Sequence, residues 1–596
     1  MAITDRLIKL RELMKQKSID AYIVPTDDFH GSEYVGDYFK CRQFITGFTG
    51  SAGTAIILQD MAGLWTDGRY FIQAAEQLDG SGVDLFKSGE PGVPTIHEFL
   101  KNRLEDGMTL GFDGRTVNAK EAEKLKETLA NKNISFSVEE DLIGEIWEER
   151  PELSCEPVIE LDTKWTGESR KNKIAKVRRQ MNEKGANIFV LTSLDDIAWL
   201  LNIRGNDIHC CPMVLAYLVM TEDEVRLYAN DKAFSPKVCV SLNKDGVRLY
   251  PYNDIYAYIS DVKKNTTILL SKSSVNGRLV NNIPAEVTVL DEKNPTELLK
   301  AIKNPTEVKN EEIAHLKDGV AMVKFIYWLK KNAGKKGVTE LSAAKKLHEL
   351  RAMQENFIED SFDPIIGYGS HAAIVHYSAT PETDIPIETK GMVLADTGGH
   401  YLEGTTDITR TIVVGSVTPK EKKYFTLVLR GHIDLAAAKF KYGCTGLNLD
   451  YLGRAPLWEI GEDYNHGTGH GVGYLLNVHE GPNAFRWKNI AGNPVPVFEE
   501  GMITSDEPGY YLENEFGIRH ENLIVCRKAE KTSFGQFMCF EPLTMVPFDV
   551  EGIEPSLMTE SERNYLNQYH ANVYKKISPY LDEDEREWLK KSTAPI

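Results

Sequence analysis

Residues 395–411, ADTGGHYLEGTTDITRT, hold two aspartates in a pattern that commits the surrounding chain to antiparallel β-structure. The apolar run Met392-Val393-Leu394 leads into Asp396, so this carboxylate stands at the end of a strand. A connection with three glycines returns the chain to Asp407, and Ile408 to Val414 follows as a second strand-like segment. The spacing predicts a hairpin-like pair of strands whose aspartates face each other. Taken alone, the pair reads more readily as two solvated turn aspartates.

Further along lie three more segments of the same kind. HGTGHGVG places His466 and His470 four residues apart, as on one helix face. Gly467, Gly469, Gly471 and Gly473 make a helix there costly, at ~1 kcal/mol each. The glutamate of an HExxH zinc motif is missing, and so is the GxGxxG spacing of a dinucleotide loop. Glycines at these positions let the backbone pass close to a crowded centre. Glu507 follows the strand Met502 to Thr504 within SDEPGYY, and Glu521 sits in the alternating segment Ile518 to Val525. On that alternation His520, its neighbour, points to the opposite face.

Each carboxylate separately reads as solvent-facing. Four of them together repel, and burial worsens the repulsion. Two divalent cations cancel that charge and leave room for one bridging hydroxide. An oxygen-rich set with one imidazole suits Mn2+, Co2+ or Fe2+ better than a thiolate zinc site does.

Around this site the chain is long. Its 596 residues exceed one core, and its 42% hydrophobic and 26% charged residues are those of a globular protein. A net charge of −19 argues against nucleic acid or an anionic membrane as partner. The densest apolar run, Met213 to Met220, is strand-length and too short to span a bilayer. The N-terminus, MAITDRLIKLRELMKQK, reads as an amphipathic helix without a signal-peptide core. Eight scattered cysteines, with no CxxC, read as reduced thiols of a cytoplasmic protein.

The fold expected is α/β with an α+β third part. A helix at Asp5 to Gln16 precedes the strand Ala21 to Pro25, and further strands are expected at 50–58 and 63–71. The pattern restarts after Leu161, with strands at 187–191, 214–220 and 224–228. Boundaries fall near Glu156 and Asn304-Pro305, where KNPTEVKNEEIAHL opens a helix with a cap signal. The predicted parts are 1–155, 156–305, 306–545 and a helical extension, 546–596.

In order and wording these segments resemble the pita-bread metallopeptidases, and within them the long, three-domain Xaa-Pro aminopeptidases. The likeness includes His376-Tyr-Ser-Ala-Thr380, HGTGHGVGYLLNVHEGP from His466 to Pro482, and SDEPGYY from Ser505 to Tyr511. It also takes in GFTGSAGTAI, WTDGRYF, and DDIAWLLNIRGNDI from Asp195 to Ile208. The resemblance implies two creatinase-like α/β domains before a catalytic domain with a curved antiparallel sheet flanked by helices. It implies five metal ligands, Asp396, Asp407, His470, Glu507 and Glu521, with Asp407 and Glu521 bridging two ions. Mn2+ is the ion it points to, with Co2+, Fe2+ or Zn2+ as alternatives.

His376, His466 and His479 match the family's substrate-side histidines, and Glu507 is placed to take the proton of the attacking hydroxide. Arg69 matches a substrate-contacting arginine that reaches the site of a partner subunit, which implies a homodimer. Arg69 also has a plain local partner in Asp67. His371, His400, His432 and His520 receive no role.

The activity implied is release of the N-terminal residue from peptides with proline second. The closest rival is a prolidase limited to Xaa-Pro dipeptides. Methionine aminopeptidase needs no two preceding domains, and creatinase needs no metal. A non-catalytic peptide-binding relative would have lost ligands, and all five are in place.

Overall fold

Two six-stranded sheets with one and the same strand order fill the N-terminal half. The computed structural model describes residues 1–489 and 494–596. In the first sheet the order in space is Asp84–Lys87, Ala62–Thr66, Thr54–Leu58, Ala21–Pro25, Thr109–Phe112, Ser135–Ser137. The second runs Val247–Pro251, Val225–Ala229, Ala216–Thr221, Ile188–Leu191, Thr267–Leu270, Thr288–Asp291. In each, three central strands form an antiparallel meander, and the flanking strands pair parallel. The restart read after Leu161 is thus a repeated topology.

The apolar run read at 214–220 becomes the strand Ala216–Thr221, with Tyr217, Leu218, Val219 and Met220 fully buried. Burial on both faces explains why it lacks alternation.

The chain divides into two units. One comprises Met1–Leu161 and Glu168–Thr296, and the other comprises Asp162–Gly167 and Glu297–Ile596. The second opens with the helix Pro305–Asn332. Its cap is the one the sequence signals: Asn304 accepts from the N–H groups of Thr306 and Glu307, and the Glu307 carboxylate accepts from the Asn304 N–H. This satisfies N–H groups that a helix end leaves bare.

All strand pairs in the named sheets of this unit are antiparallel. Ile365–Tyr368, Met392–Thr397 and Ile408–Val413 form one sheet. Lys439–Lys441, Gly535–Pro542, Asn522–Thr532, Ile503–Asp506, Gly469–Gly471 and Glu480–Phe485 form another, in that order. The β-layer is therefore divided into separately paired pieces. The connection read as a plain loop after Asp396 is itself a small hairpin: Gly399–Tyr401 pairs with Gly404–Thr405 and joins Phe357–Asp360 in a third sheet.

One hydrophobic core joins these layers. It contains Phe325 of the first helix, Val393 and Ile412 of the sheet, and Val428 of the helix Pro419–Ala436. Leu566 and Val573 of Glu560–Ile577 and Leu589 of Glu583–Ser592 belong to the same cluster, so the C-terminal helices complete this core. Among the described residues no helix is long and apolar enough to cross a membrane.

Candidate metal centre

The three-stranded and six-stranded sheets meet along Ile408–Val413. Asp396 lies opposite Thr409 in the register, and Asp407 stands one residue before that strand. Side chains alternate along a strand. Asp407, Thr409 and Thr411 therefore share one face, and Arg410 takes the other. Thr409 donates to Glu521 Oε2 at 2.8 Å, and Thr411 donates to the Arg519 carbonyl at 3.0 Å. The Glu521 N–H donates to the Thr409 carbonyl at 3.1 Å. Buried Arg410 donates to the carbonyls of Glu521, Val546 and Pro547. Hydroxyls and one guanidinium thus fix Glu521 against the aspartates.

His470 comes from the strand Gly469–Gly471. A Cβ on Gly469 would lie 1.8 Å from the Ser505 carbonyl oxygen, and one on Gly471 would lie 2.2 Å from that of Glu480. The glycines are needed because this strand is squeezed between its neighbours. The His470 N–H donates to Ser505 Oγ at 2.9 Å, and Ser505 in turn donates to Glu507 Oε1 at 3.0 Å. The Glu507 N–H donates to the Thr468 carbonyl at 2.9 Å. His470 Nδ1 lies 2.8 Å from the Gly471 carbonyl, which makes it the protonated nitrogen and turns Nε2 into the cluster as a donor atom for a cation.

The geometry assembles all five predicted ligands. Ligand atoms of Asp407, His470 and Glu521 lie within 4.8 Å of one another. His470 Nε2 is 3.4 Å from Asp407 Oδ2 and 3.5 Å from Glu507 Oε1. Asp396 joins through Arg519, whose guanidinium donates to its Oδ2.

Burial pushes the Asp396 carboxyl up to about 6; Arg519 works against the rise, and repulsion from Asp407 and Glu507 adds to it. Burial, then repulsion from Asp407, Glu507 and Asp396, holds Glu521 well above the ordinary carboxylate range. Desolvation works against charge on His470, but the Asp407 contact and the Glu507 charge carry its imidazole up to about 9. Burial leads in each case: surplus negative charge adds to it on Asp396 and Glu521 and overcomes it on His470.

Two buried oxygens complete the test for metal. Asp396 Oδ1 and Glu521 Oε1 are enclosed and have no hydrogen-bond partner. Unsatisfied buried carboxylate oxygens are costly unless a cation meets them. Four carboxylates and one imidazole fit a pair of divalent cations with a preference for oxygen.

The remaining predicted residues are placed differently. The His479 ring meets His470 edge-on, with centroids 4.3 Å apart. His376 is half-buried and follows Val375, whose carbonyl accepts from Arg519 at 3.4 Å. His466 reaches the centre through Tyr511. Its Nδ1 faces the Gly467 carbonyl at 2.8 Å, and its Nε2 accepts from the Tyr511 hydroxyl at 2.9 Å. Burial, helped by Arg519, lowers it to about 3, so it stands as a neutral ring with both nitrogens engaged. Arg69, in the first unit, forms the local pair: its Nε and Nη2 donate to Asp67 at 2.8 Å each.

Arg519 and Tyr511 were missed in the sequence. Arg519 donates to Tyr511 at 2.6 Å and to Thr409 at 3.2 Å besides holding Asp396. Its position two residues before Glu521, hence on the same strand face, was the available signal. His520, as the alternation predicts, turns away and packs on Phe425 and Phe548.

With this geometry in hand, the chain can be set beside known proteins. Residues 6–142 and 149–307 match the Creatinase/Prolidase N-terminal domain. Residues 310–528 match Metallopeptidase family M24, and residues 536–596 match the C-terminal region of peptidase M24. Over all of its length the chain is 41% identical to a probable Xaa-Pro aminopeptidase P of Talaromyces marneffei, covering 92% of that protein. The chain belongs to the Xaa-Pro aminopeptidase family. It is therefore a metallopeptidase and a hydrolase.

The chain is also 37% identical to Aminopeptidase P2 of Arabidopsis thaliana, with 100% of this chain and 89% of that one covered. The crystal structure of X-prolyl aminopeptidase from Caenorhabditis elegans, described as a cytosolic enzyme with a di-nuclear active site, matches both chains in full. Its TM-score is 0.94 and its identity 35%. An Xaa-Pro dipeptidase from Bacillus anthracis, 25% identical with a TM-score of 0.50, covers only 64% of this chain although 99% of its own is used.

Proposed function

We propose that this protein removes the N-terminal residue from peptides whose second residue is proline, using two divalent cations. The observation that carries this reading is the set of buried carboxylates around His470 Nε2, with oxygens of Asp396 and Glu521 left unpartnered. Full-length similarity to proteins named Xaa-Pro aminopeptidases supplies the substrate class. The dipeptidase of Bacillus anthracis, which leaves about a third of this chain unmatched, speaks against a prolidase limited to dipeptides.

Asp396, Asp407, His470, Glu507 and Glu521 would hold the cations. When bound, the pair supplies charge compensation, polarises the scissile carbonyl and lowers the pKa of water. Mn2+ is the proposed ion, with Co2+, Fe2+ and Zn2+ as alternatives.

The residues of the chain do the rest. Glu507, oriented by Ser505, accepts the proton of the attacking water. His479 and His376 face the substrate and offer N–H groups to the carbonyl oxygen as its charge grows. Neutral His466 holds Tyr511, and would reach the substrate only by releasing that hydroxyl. Acidic groups near the site receive the free α-amine, which restricts cleavage to the terminal bond. Proline's missing N–H and fixed φ set the bond geometry the site must accept.

The proposed domain limits are 1–155, 156–305, 306–545 and 546–596. The protein is proposed to be cytoplasmic and a homodimer, with Arg69 exchanging Asp67 for substrate in a partner's site. A patch of half-exposed rings, Tyr451, Trp458 and Trp487, supports a second copy as partner.

The test is release of the first residue from paired Xaa-Pro-Yaa and Xaa-Ala-Yaa peptides, after chelation and with Mn2+ restored. Cleavage of the proline peptide alone, dependent on metal, is the expected result. Cleavage of Xaa-Pro dipeptides alone would overturn it in favour of a prolidase.

A further inference from the structure

His470 and His466 each have a neighbouring carbonyl on Nδ1 that orients the ring, and on His466 the Tyr511 hydroxyl meets Nε2 as well. Beside His479 a further anchor lies one residue on. Glu480 is 3% exposed, and its carboxylate meets two lysines that are themselves 4% exposed. Lys303 Nζ donates to Oε1, and Lys300 Nζ lies 3.2 Å from Oε2. Two buried cations on one buried carboxylate are expensive to assemble, and removing any partner leaves a charge without its counterpart.

The backbone explains why a peg is needed here. Glu480 pairs with Gly471, the residue after His470, and the next paired residue is Ala484, opposite His470 itself. Gly481, Pro482 and Asn483 bulge out between those two rungs. Asn483 closes the gap by donating to the Ile503 carbonyl at 2.9 Å and to Thr504 Oγ1 at 2.7 Å. His479 therefore stands at the outer end of an interrupted ladder, with a single rung beside it. His479 immediately precedes the strand Glu480–Phe485, so clamping Glu480, the first residue of that strand, fixes the backbone from which the ring projects.

We infer that Glu480, held by Lys300 and Lys303, is a positioning residue that sets the His479 imidazole against His470. The inference rests on the reading of His479 as a substrate-facing residue. Lys303→Met removes the nearer of the two cations and leaves Lys300 on Glu480, so it is the variant to make first. With metal-loaded full-length enzyme and an Xaa-Pro-Yaa peptide, kcat should fall about tenfold, in the lower part of the range for residues that orient a site. KM and bound metal should stay at wild-type values, and Lys303→Arg should recover most of the rate.

His479→Ala supplies the control. In a His479→Ala background, Lys303→Met should cost no further activity, because the ring it places is gone. The proposal is overturned if Lys303→Met lowers only the melting temperature, or if its effect multiplies with that of His479→Ala. An unchanged kcat in His479→Ala would remove the substrate role of His479 and this inference with it. Loss of the positioning effect alone, with His479→Ala impaired, would leave the proposed reaction intact.

Discussion

Asp396 and Thr397 are neighbours on one strand and face two clusters of buried acids that the fold treats in opposite ways. On the Thr397 side, Arg351 donates to Thr397 at 3.0 Å and to Asp318 at 2.7 Å, and it lies 3.6 Å from Asp360. Tyr401 adds a hydroxyl to Asp318 at 3.1 Å. Burial works against the guanidinium's charge, and Asp318 and Asp360 more than restore it. On the Asp396 side, four carboxylates share Arg519 and His470, and two oxygens go unmet. In the first cluster each acid has a basic side chain of the chain beside it, Arg351 for Asp318 and Arg351 with His348 for Asp360, although Asp360 Oδ1 lacks a hydrogen bond. The second is complete only with something from outside, and that deficit separates a binding centre from a structural ion pair more surely than burial does.

The sharpest way to break this comparison is to remove one charged group from each side. Glu521→Gln should lose bound metal and lower kcat/KM by at least ~1000-fold, the equivalent of roughly 4 kcal/mol. Elemental analysis and steady-state rates on the same preparation check it, and a variant that keeps two ions and full rate would erase the distinction. Arg351→Met should do the reverse. Metal content and kcat stay near wild type at low temperature, while urea unfolding shows a loss of about 3 kcal/mol from an uncompensated buried acid.

The smallest effect concerns pH. In the metal-free protein, Asp396 is held up at about 6, above its value in the unfolded chain, which is about 4. Between those two values the fold keeps a proton that the unfolded chain has released. The stability this group contributes is therefore lost as pH rises through that window. Comparing urea midpoints at pH 4.5 and pH 7, Asp396→Asn should flatten the decline seen in the metal-free parent. Arg351→Met should leave it unchanged.

Much of the centre was legible because each ligand sits in a local pattern that does not need the fold to be recognised. Asp396 ends an apolar run, His470 lies between glycines, and Glu507 precedes Pro508-Gly509. Arg519 was not singled out although the alternation that turns His520 away also puts Arg519 beside Glu521. The Arg351–Asp318 pair left no trace in the sequence, since it joins two helices and depends on tertiary packing. The hairpin inside 398–406 was hidden for a related reason: its strands are two and three residues long, and they persist because Phe357–Asp360 pairs alongside.

The residues proposed as ligands come from separated segments, the first at Asp396 and the last at Glu521. During synthesis the chain therefore cannot close this centre until the ribosome has released Glu521. Cation capture is thus a late event, and a nascent chain stalled before Glu521 would carry most of the catalytic unit without the means to bridge two ions.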